Sequence, residues 1–263
     1  MDVEMGLAVG LLALVGGIMS GLLGISGAVL MVPLLLYVLP LLGLDPLPVK
    51  TVAAVAIVQG LFASTSGVIA HGRKGYVNRD IALIAGGSVA VGALLGGILS
   101  RWAPDTLLLT VFALMATGAV VLMATPHAVE PNEDSRFRFT RPWRLAFFFP
   151  EGVMAGMVGV GGGFISTPVL NRLFHAPIRV AIASSLAMSW FGAMAGFLGK
   201  AVTGQVPLWL SVVVILGAVP GAQIGAVINR HVPRSYLRYA FASMLVIISV
   251  SIWVEVLARF KMP

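Results

Sequence analysis

Two short runs, Ser26-Gly27-Ala28 and Gly161-Gly162-Gly163, stand inside long apolar stretches at places where a helix has reason to break. A helix that starts at such a break presents N–H groups without intrahelical partners together with the positive end of its dipole, a combination that favours an anion. Glycines at these places would also let two helices cross closely. Hydroxyls lie near: Ser166 and Thr167 just beyond the second run, and Ser184 and Ser185 seven and eight residues past Pro177, about 10 Å along a helix. They could meet an anion at the depth of the break, or bond back to their own helix. The first half has Val55-Ala56 at the matching place, with Gln59 three residues further on and on much the same face, so the expected site is asymmetric.

One acidic residue, Glu151, sits well inside an apolar segment, Phe147-Phe-Phe-Pro-Glu151-Gly-Val-Met. An ionisable group there is a functional candidate, here for carrying a coupled proton, although a neighbouring Arg or the helix after Pro150 could also hold it. His71, His127, His175 and His231 fall at span ends or in loops, too dispersed for a metal motif. His71-Gly-Arg73-Lys74 could form a basic mouth or act as an orientation signal. The chain has no cysteine, which removes disulfides, thiolate metal sites and Cys nucleophiles. Neither a Gly-x-Ser-x-Gly elbow nor a His-Glu-x-x-His pair nor a phosphate-binding loop occurs. Gly159-Val-Gly-Gly-Gly163 looks like half a dinucleotide fingerprint, but helical segments flank it on both sides. No enzyme activity, cofactor or metal is expected.

These residues need a membrane around them. Of 263 residues 59% are hydrophobic and 10% charged, with a mean hydropathy of +1.00, whereas soluble domains are about 45–50% apolar and about 25% charged. Successive segments reach the roughly 20 residues that cross about 30 Å of hydrocarbon. The net charge of +7 comes from short loops, which reads as an orientation signal and not as a nucleic-acid surface. The opening Met-Asp-Val-Glu lacks the basic start of a cleaved signal, so the first span is expected to be retained.

Met5–Leu44 would be about 60 Å long as one helix, twice the membrane, so it must fold back, tilt or break. The break falls at Gly24–Gly27, and Gly159–Gly163 is its counterpart in the second half. Gly21, Gly24, Leu30 and Pro33 repeat as Gly156, Gly159, Ile165 and Pro168 at an offset of 135. The offset then becomes 129, pairing Pro48 with Pro177, Gly67 with Gly196, Gly92 with Gly221, Gly96 with Gly225 and Arg101 with Arg230. This is a duplication, with a first repeat over 1–125, a linker over 126–143 and a second repeat over 144–263.

If the glycine joints are fold-backs, twelve of the seventeen Lys and Arg residues fall on one side, leaving Lys50, Arg101, Lys200, Arg259 and Lys261 on the other. If they are kinks, the split is ten to seven. The positive-inside rule favours fold-backs, hence two inverted repeats of about five transmembrane or half-transmembrane helices. Both termini then lie outside the cytoplasm, and the exposed, polar linker lies within it.

At these residues the chain resembles the TauE/SafE family of sulfite and organosulfonate exporters, over nearly its whole length. The family pattern of Gly-x-Gly-Gly-Gly, an apolar run and Pro stands at Gly159–Pro168, Ala-x-Gly-Thr-Ser-Leu stands as Ala181-Ile-Ala-Ser-Ser185-Leu186, and Glu151-Gly152 precedes the second joint. Ser26 and Ala28 replace glycines usual at the first joint, Ala183 and Ser184 replace Gly-Thr, and Thr51–Ile57 lacks the Thr-Ser-Leu signature. The resemblance implies an inner-membrane permease for small sulfur-containing anions such as sulfite, sulfoacetate or taurine-related sulfonates, exporting them with the proton gradient. From the residues alone the expectation is a secondary transporter for a small anion, working by alternating access. Its partners would be the anion, protons and the lipid bilayer; an anion channel, a membrane scaffold and a homo-oligomer remain open alternatives.

Overall fold

The computed structural model describes residues 3–23, 26–72, 77–124, 143–229, 232 and 234–261, and every regular element among them is helical. In chain order these are α1 (Val3–Leu23), α2 (Ala28–Pro33), α3 (Leu39–Leu41), α4 (Val49–Gly72), α5 (Gly86–Leu99), α6 (Asp105–Ala124), α7 (Trp143–Val158), α8 (Gly163–Pro168), α9 (Ile178–Val202), α10 (Leu208–Asn229) and α11 (Arg234–Lys261). Single π-helical turns continue α2 at Leu34–Val38 and α8 at Val169–Leu173, and one precedes α5 at Ile81–Ala85. The first two turns directly follow Pro33 and Pro168, whose missing N–H interrupts the regular ladder. Seven helices are long and apolar enough to cross a membrane, while Ala28–Leu41 and Phe147–Val158 are shorter apolar arms.

The joints are fold-backs. Ser166 of α8 donates a hydrogen bond to Glu151 of α7, fifteen residues earlier, which a continuous helix would place about 22 Å away. In the first half, a Cβ on Gly27 would lie 3.0 Å from Gly16 O and 3.1 Å from Ser20 Cβ, so α2 runs back along α1 in the same manner. Pro48 and Pro177 then start α4 and α9, their carbonyls accepting from Val52 and Ala181. The joints lie against the middle of these long helices: Gln59 and Gly60 are the eleventh and twelfth residues of 24 in α4, and Ser189 is the twelfth of 25 in α9.

Glycine seams join the halves, and they recur at the two offsets. Gly17 and Gly21 of α1 press on the carbonyls of Ala218 and Ala222, as Gly152 and Gly156 of α7 press on those of Val89 and Ala93. In return, Gly221 and Gly225 meet the carbonyls of Leu14 and Ile18, as Gly92 and Gly96 meet those of Phe149 and Val153. Gly67 receives Leu186, and Gly196 receives Ile57. Apolar burial gives little drive between helices in lipid, so such backbone-to-backbone contact is what holds α1 to α10 and α7 to α5. Leu7, Leu11, Val212, Leu216 and Ile247 face outward as the lipid surface.

At one end of the bundle Lys50 donates to Arg101 O, Arg101 to Thr203 O, and Arg259 pairs with Asp105. Lys200 departs from its expected place in a polar loop. It lies in the last turn of α9 with no exposed surface, donating to Ser100 Oγ at 2.7 Å and to Met157 O at 3.0 Å. The turn that follows folds over it: Gln205 donates to Gly97 O and to Thr203 Oγ1. Gly24, the pair Arg73-Lys74, His127, His231 and nearly all of the linker lie outside the described residues, as does the side chain of His71.

Candidate functional site

At the second joint α7 ends at Val158, and Gly159, Gly161 and Gly162 take φ values of +85°, +70° and +81° before α8 begins. This left-handed region costs other residues energy, which is why glycines turn the chain here. Gly162 is the N-cap of α8, and no side chain caps the helix. One face of this start meets α7, where a Cβ on Gly162 would be 3.4 Å from Glu151 Oε1. The other face meets α9, where Cβ atoms on Gly161 and Gly163 would be 2.9 and 3.1 Å from Ser189 Oγ.

Glu151 is 2% exposed. Its Oε1 accepts from Ser166 Oγ at 2.5 Å, while Oε2 has no partner. Among the described residues neither an Arg nor a helix start pairs with it in the way expected for a structural carboxylate. Thr167 Oγ1 and Ser185 Oγ lie 2.6 Å apart one turn further along; one donates to the other, and the accepting hydroxyl gives its own proton to its helix, Thr167 to Gly163 O or Ser185 to Ile182 O. Ser184 points elsewhere, accepting from the backbone N–H of Asn78 at 3.0 Å.

The first joint is built differently. Gly27, the N-cap of α2, has right-handed torsions (φ −60°, ψ −16°), so space and not torsion requires a glycine there. No side chain caps α2 either. Gln59 fills the gap above Gly16, donates to Ala13 O at 3.3 Å, and places Nε2 3.2 Å from where a Cβ on Gly27 would sit. Ser26 Oγ lies 2.8 Å from the corresponding point on Gly60.

Ala193 of α9 joins the two places, standing 4.0 Å from the Cβ position of Gly60 and 3.3 Å from that of Gly161. Four fully buried polar atoms around this junction have no hydrogen-bond partner: Ser26 Oγ, Gln59 Oε1, Glu151 Oε2 and Ser189 Oγ. Leaving such an atom unmet costs about 1–3 kcal/mol, so the cluster is polar for a reason other than packing. The expected site residues thus divide. Ser26, Gly27, Gln59, Gly161, Gly162, Gly163 and Glu151 surround the junction, Ser166, Thr167 and Ser185 line α8 behind it, and Ser184 is directed away. Ser189 escaped the sequence reading, although it stands opposite Gly60 at the offset of 129.

The sequence profile of the family described as "Sulfite exporter TauE/SafE" matches residues 9–252. The chain belongs to the TauE/SafE family. It is accordingly a multi-pass membrane transporter. A "Probable membrane transporter protein" of Xylella fastidiosa is 30% identical over 241 residues, covering 90% of each chain. In Bacillus subtilis, "Probable membrane transporter protein YdhB" is 28% identical over 229 residues, covering 85% of this chain and 90% of its own, and "Probable membrane transporter protein YunE" is 24% identical over 258 residues, covering 90% and 93%. No solved structure gives a significant match.

Proposed function

We propose that this protein is a secondary transporter of small sulfur oxyanions or organosulfonates, binding the charged headgroup between the two glycine joints by alternating access. The observation that carries this reading is the group of four unpartnered buried polar atoms beside two uncapped half-helix starts, at the mid-depth of α4 and α9. Ser26, Ser189 and the amides at the start of α8 would donate to the oxyanion, and the dipoles of α2 and α8 would hold its charge. The family's description as sulfite exporters supports sulfur chemistry and outward transport. Glu151, as the ionisable group at the junction, would carry the coupled proton. The recurrence of the seams at the two offsets supports two repeats, 1–125 and 144–263, in opposite senses across an inner membrane. With the linker inside, both termini then lie on the non-cytoplasmic side.

The test is a thermal-shift screen of the purified protein against sulfite, sulfoacetate, taurine, thiosulfate, sulfate and a carboxylate control. A ligand present at a hundred times its Kd stabilises the native state by about 2.7 kcal/mol, a readily measured shift. Stabilisation by one sulfur anion and not by the carboxylate supports the reading. A flat response to all six overturns it in favour of a membrane scaffold.

A further inference from the structure

We infer that proton and anion bind to this protein together, because Glu151 and the anion place negative charge at the same helix start, and that Gln59 is the permanently neutral counterpart of Glu151 in the first half. The inference rests on the anion site proposed above and adds the sign and stoichiometry of its coupling: a proton that travels with the anion runs down an inward gradient with uptake, so export by this route draws on the anion's own gradient and on the membrane potential, not on the proton gradient.

The two groups occupy corresponding places. Gly16 stands at the position of Glu151 at the offset of 135, and the space above Gly16 that its absent side chain would take is filled by the Gln59 amide, reaching across from α4. The Gln59 amide lies against Gly27, which caps α2, and the Glu151 carboxyl against Gly162, which caps α8. Each presents one unpartnered oxygen, Oε1 of Gln59 and Oε2 of Glu151. The halves therefore match in shape but not in charge: the start of α2 faces an amide, and the start of α8 faces a group that is anionic until protonated.

An ionised Glu151 is itself an anion at the positive end of α8, on the α7 face. A substrate anion arriving on the α9 face, at Ser189, would share that end with it. Two like charges there repel strongly in a low-dielectric interior, so the anion binds well only when Glu151 holds a proton. Among the described residues no other titratable group at this depth relieves this. Neither α5 with its preceding π turn nor α8 carries one, and α6 has only Asp105 at its first residue. Arg179 is in the first turn of α9, while Lys50 and His71 lie near the ends of α4. Lys200 is engaged with Met157 O and Arg172, beyond α8, with Met123 O. Glu151 is thus the titratable group at mid-depth among the described residues of these elements.

The test measures protons taken up when thiosulfate or sulfoacetate binds, by a pH indicator in weak buffer, and the affinity between about pH 5.5 and 8.5, where neither probe titrates. At pH values where Glu151 is ionised in the free protein, the wild type is expected to take up about one proton per anion and its affinity to fall about tenfold per pH unit; at lower pH both effects vanish together. Glu151→Gln is expected to take up none, with an affinity that no longer varies with pH. Gln59→Glu, which puts a carboxyl at both helix starts, should raise uptake to about two. Wild-type affinity that stays flat across the whole range with no uptake at its alkaline end, or proton release on binding, overturns the inference while leaving the anion site standing. Absence of binding by both probes at any pH, together with a flat response to the other anions of the thermal-shift screen, overturns the anion site, and the coupling with it.

Discussion

Ser166 and Glu151 are fifteen residues apart in sequence and 2.5 Å apart in space, and their hydrogen bond ties the half-helix α8 to the arm that precedes it. Because both groups are buried, Ser166→Ala leaves Oε1 unmet as well as Oε2 and should cost about 1–3 kcal/mol of stability. In a Glu151→Met background the same Ser166→Ala change should cost at least about 1 kcal/mol less. Unfolding of the four proteins in detergent gives the coupling energy; strictly additive effects would show that the pair contributes nothing.

Gly162 and Gly43 have similar left-handed torsions, φ +81° and +76°, but only Gly162 has neighbours within 4 Å. Replacing either with Ala introduces about 1–2 kcal/mol of backbone strain, and hence a similar fall in Tm. Transport should separate them. Gly43→Ala, in the turn after α3, should transport normally, whereas Gly162→Ala re-aims the start of α8 and should lose most of its flux. Equal transport by the two variants would show that the torsion at Gly162 serves folding alone.

Ser189 Oγ is buried and has no partner, so its removal takes no hydrogen bond from the folded protein. Ser189→Ala should be neutral or slightly stabilising in the absence of ligand, since it relieves an unmet polar atom. The same change should weaken binding of a stabilising anion about five- to thirtyfold, the equivalent of roughly 1–2 kcal/mol. A variant that loses stability but keeps wild-type affinity would place Ser189 in the packing and not in the site.

The recurrence of glycines at two offsets was legible because the seams between helices bring backbone against backbone, and at a contact such as Gly21 on the Ala222 carbonyl a Cβ has no room. The fold-back was legible through length, since forty apolar residues cannot stand straight in a bilayer. What stayed hidden depended on rotation and on cover. Ser184 and Ser185 are neighbours, but successive helical residues point about 100° apart, so one meets Thr167 and the other the backbone at Asn78. Ser189 is a single hydroxyl in an apolar run, and only the shape of the joint opposite gives it meaning. Lys200 reads as a loop cation beside Thr203-Gly204-Gln205, and it is the folding of that turn over α9 that buries it.

Lys200 bonds to neutral oxygens, one of them the carbonyl of Met157 near the end of α7, where a cation also complements the helix dipole. Lys200→Met keeps the length and apolar stem and removes the buried charge, so it should change stability by no more than about 2 kcal/mol. Lys200→Glu sets a carboxylate against Met157 O and Ser100 and should prevent the protein from accumulating in the membrane. Comparison of membrane yield and Tm for the two variants checks this; equal behaviour would mean that the turn opens and hydrates the site.

The two joints carry the same pair of residues with their helices exchanged. In the first, Ser26 on the joint faces Gly60 on α4; in the second, Gly161 on the joint faces Ser189 on α9. Each glycine is needed because a Cβ would come within 3.0 Å of the serine oxygen opposite. Gly60→Ser alone therefore overpacks the first joint and should cost about 1–3 kcal/mol. Adding Ser26→Gly converts the first joint to the arrangement of the second and should recover most of that loss, because the hydroxyl then enters from α4 into space the joint has vacated. Tm values of the single and double variants decide the point. Failure of Ser26→Gly to rescue Gly60→Ser would mean that the joints differ in backbone shape by more than the exchange of one hydroxyl, as the right-handed torsions of Gly27 and the left-handed torsions of Gly162 would then require.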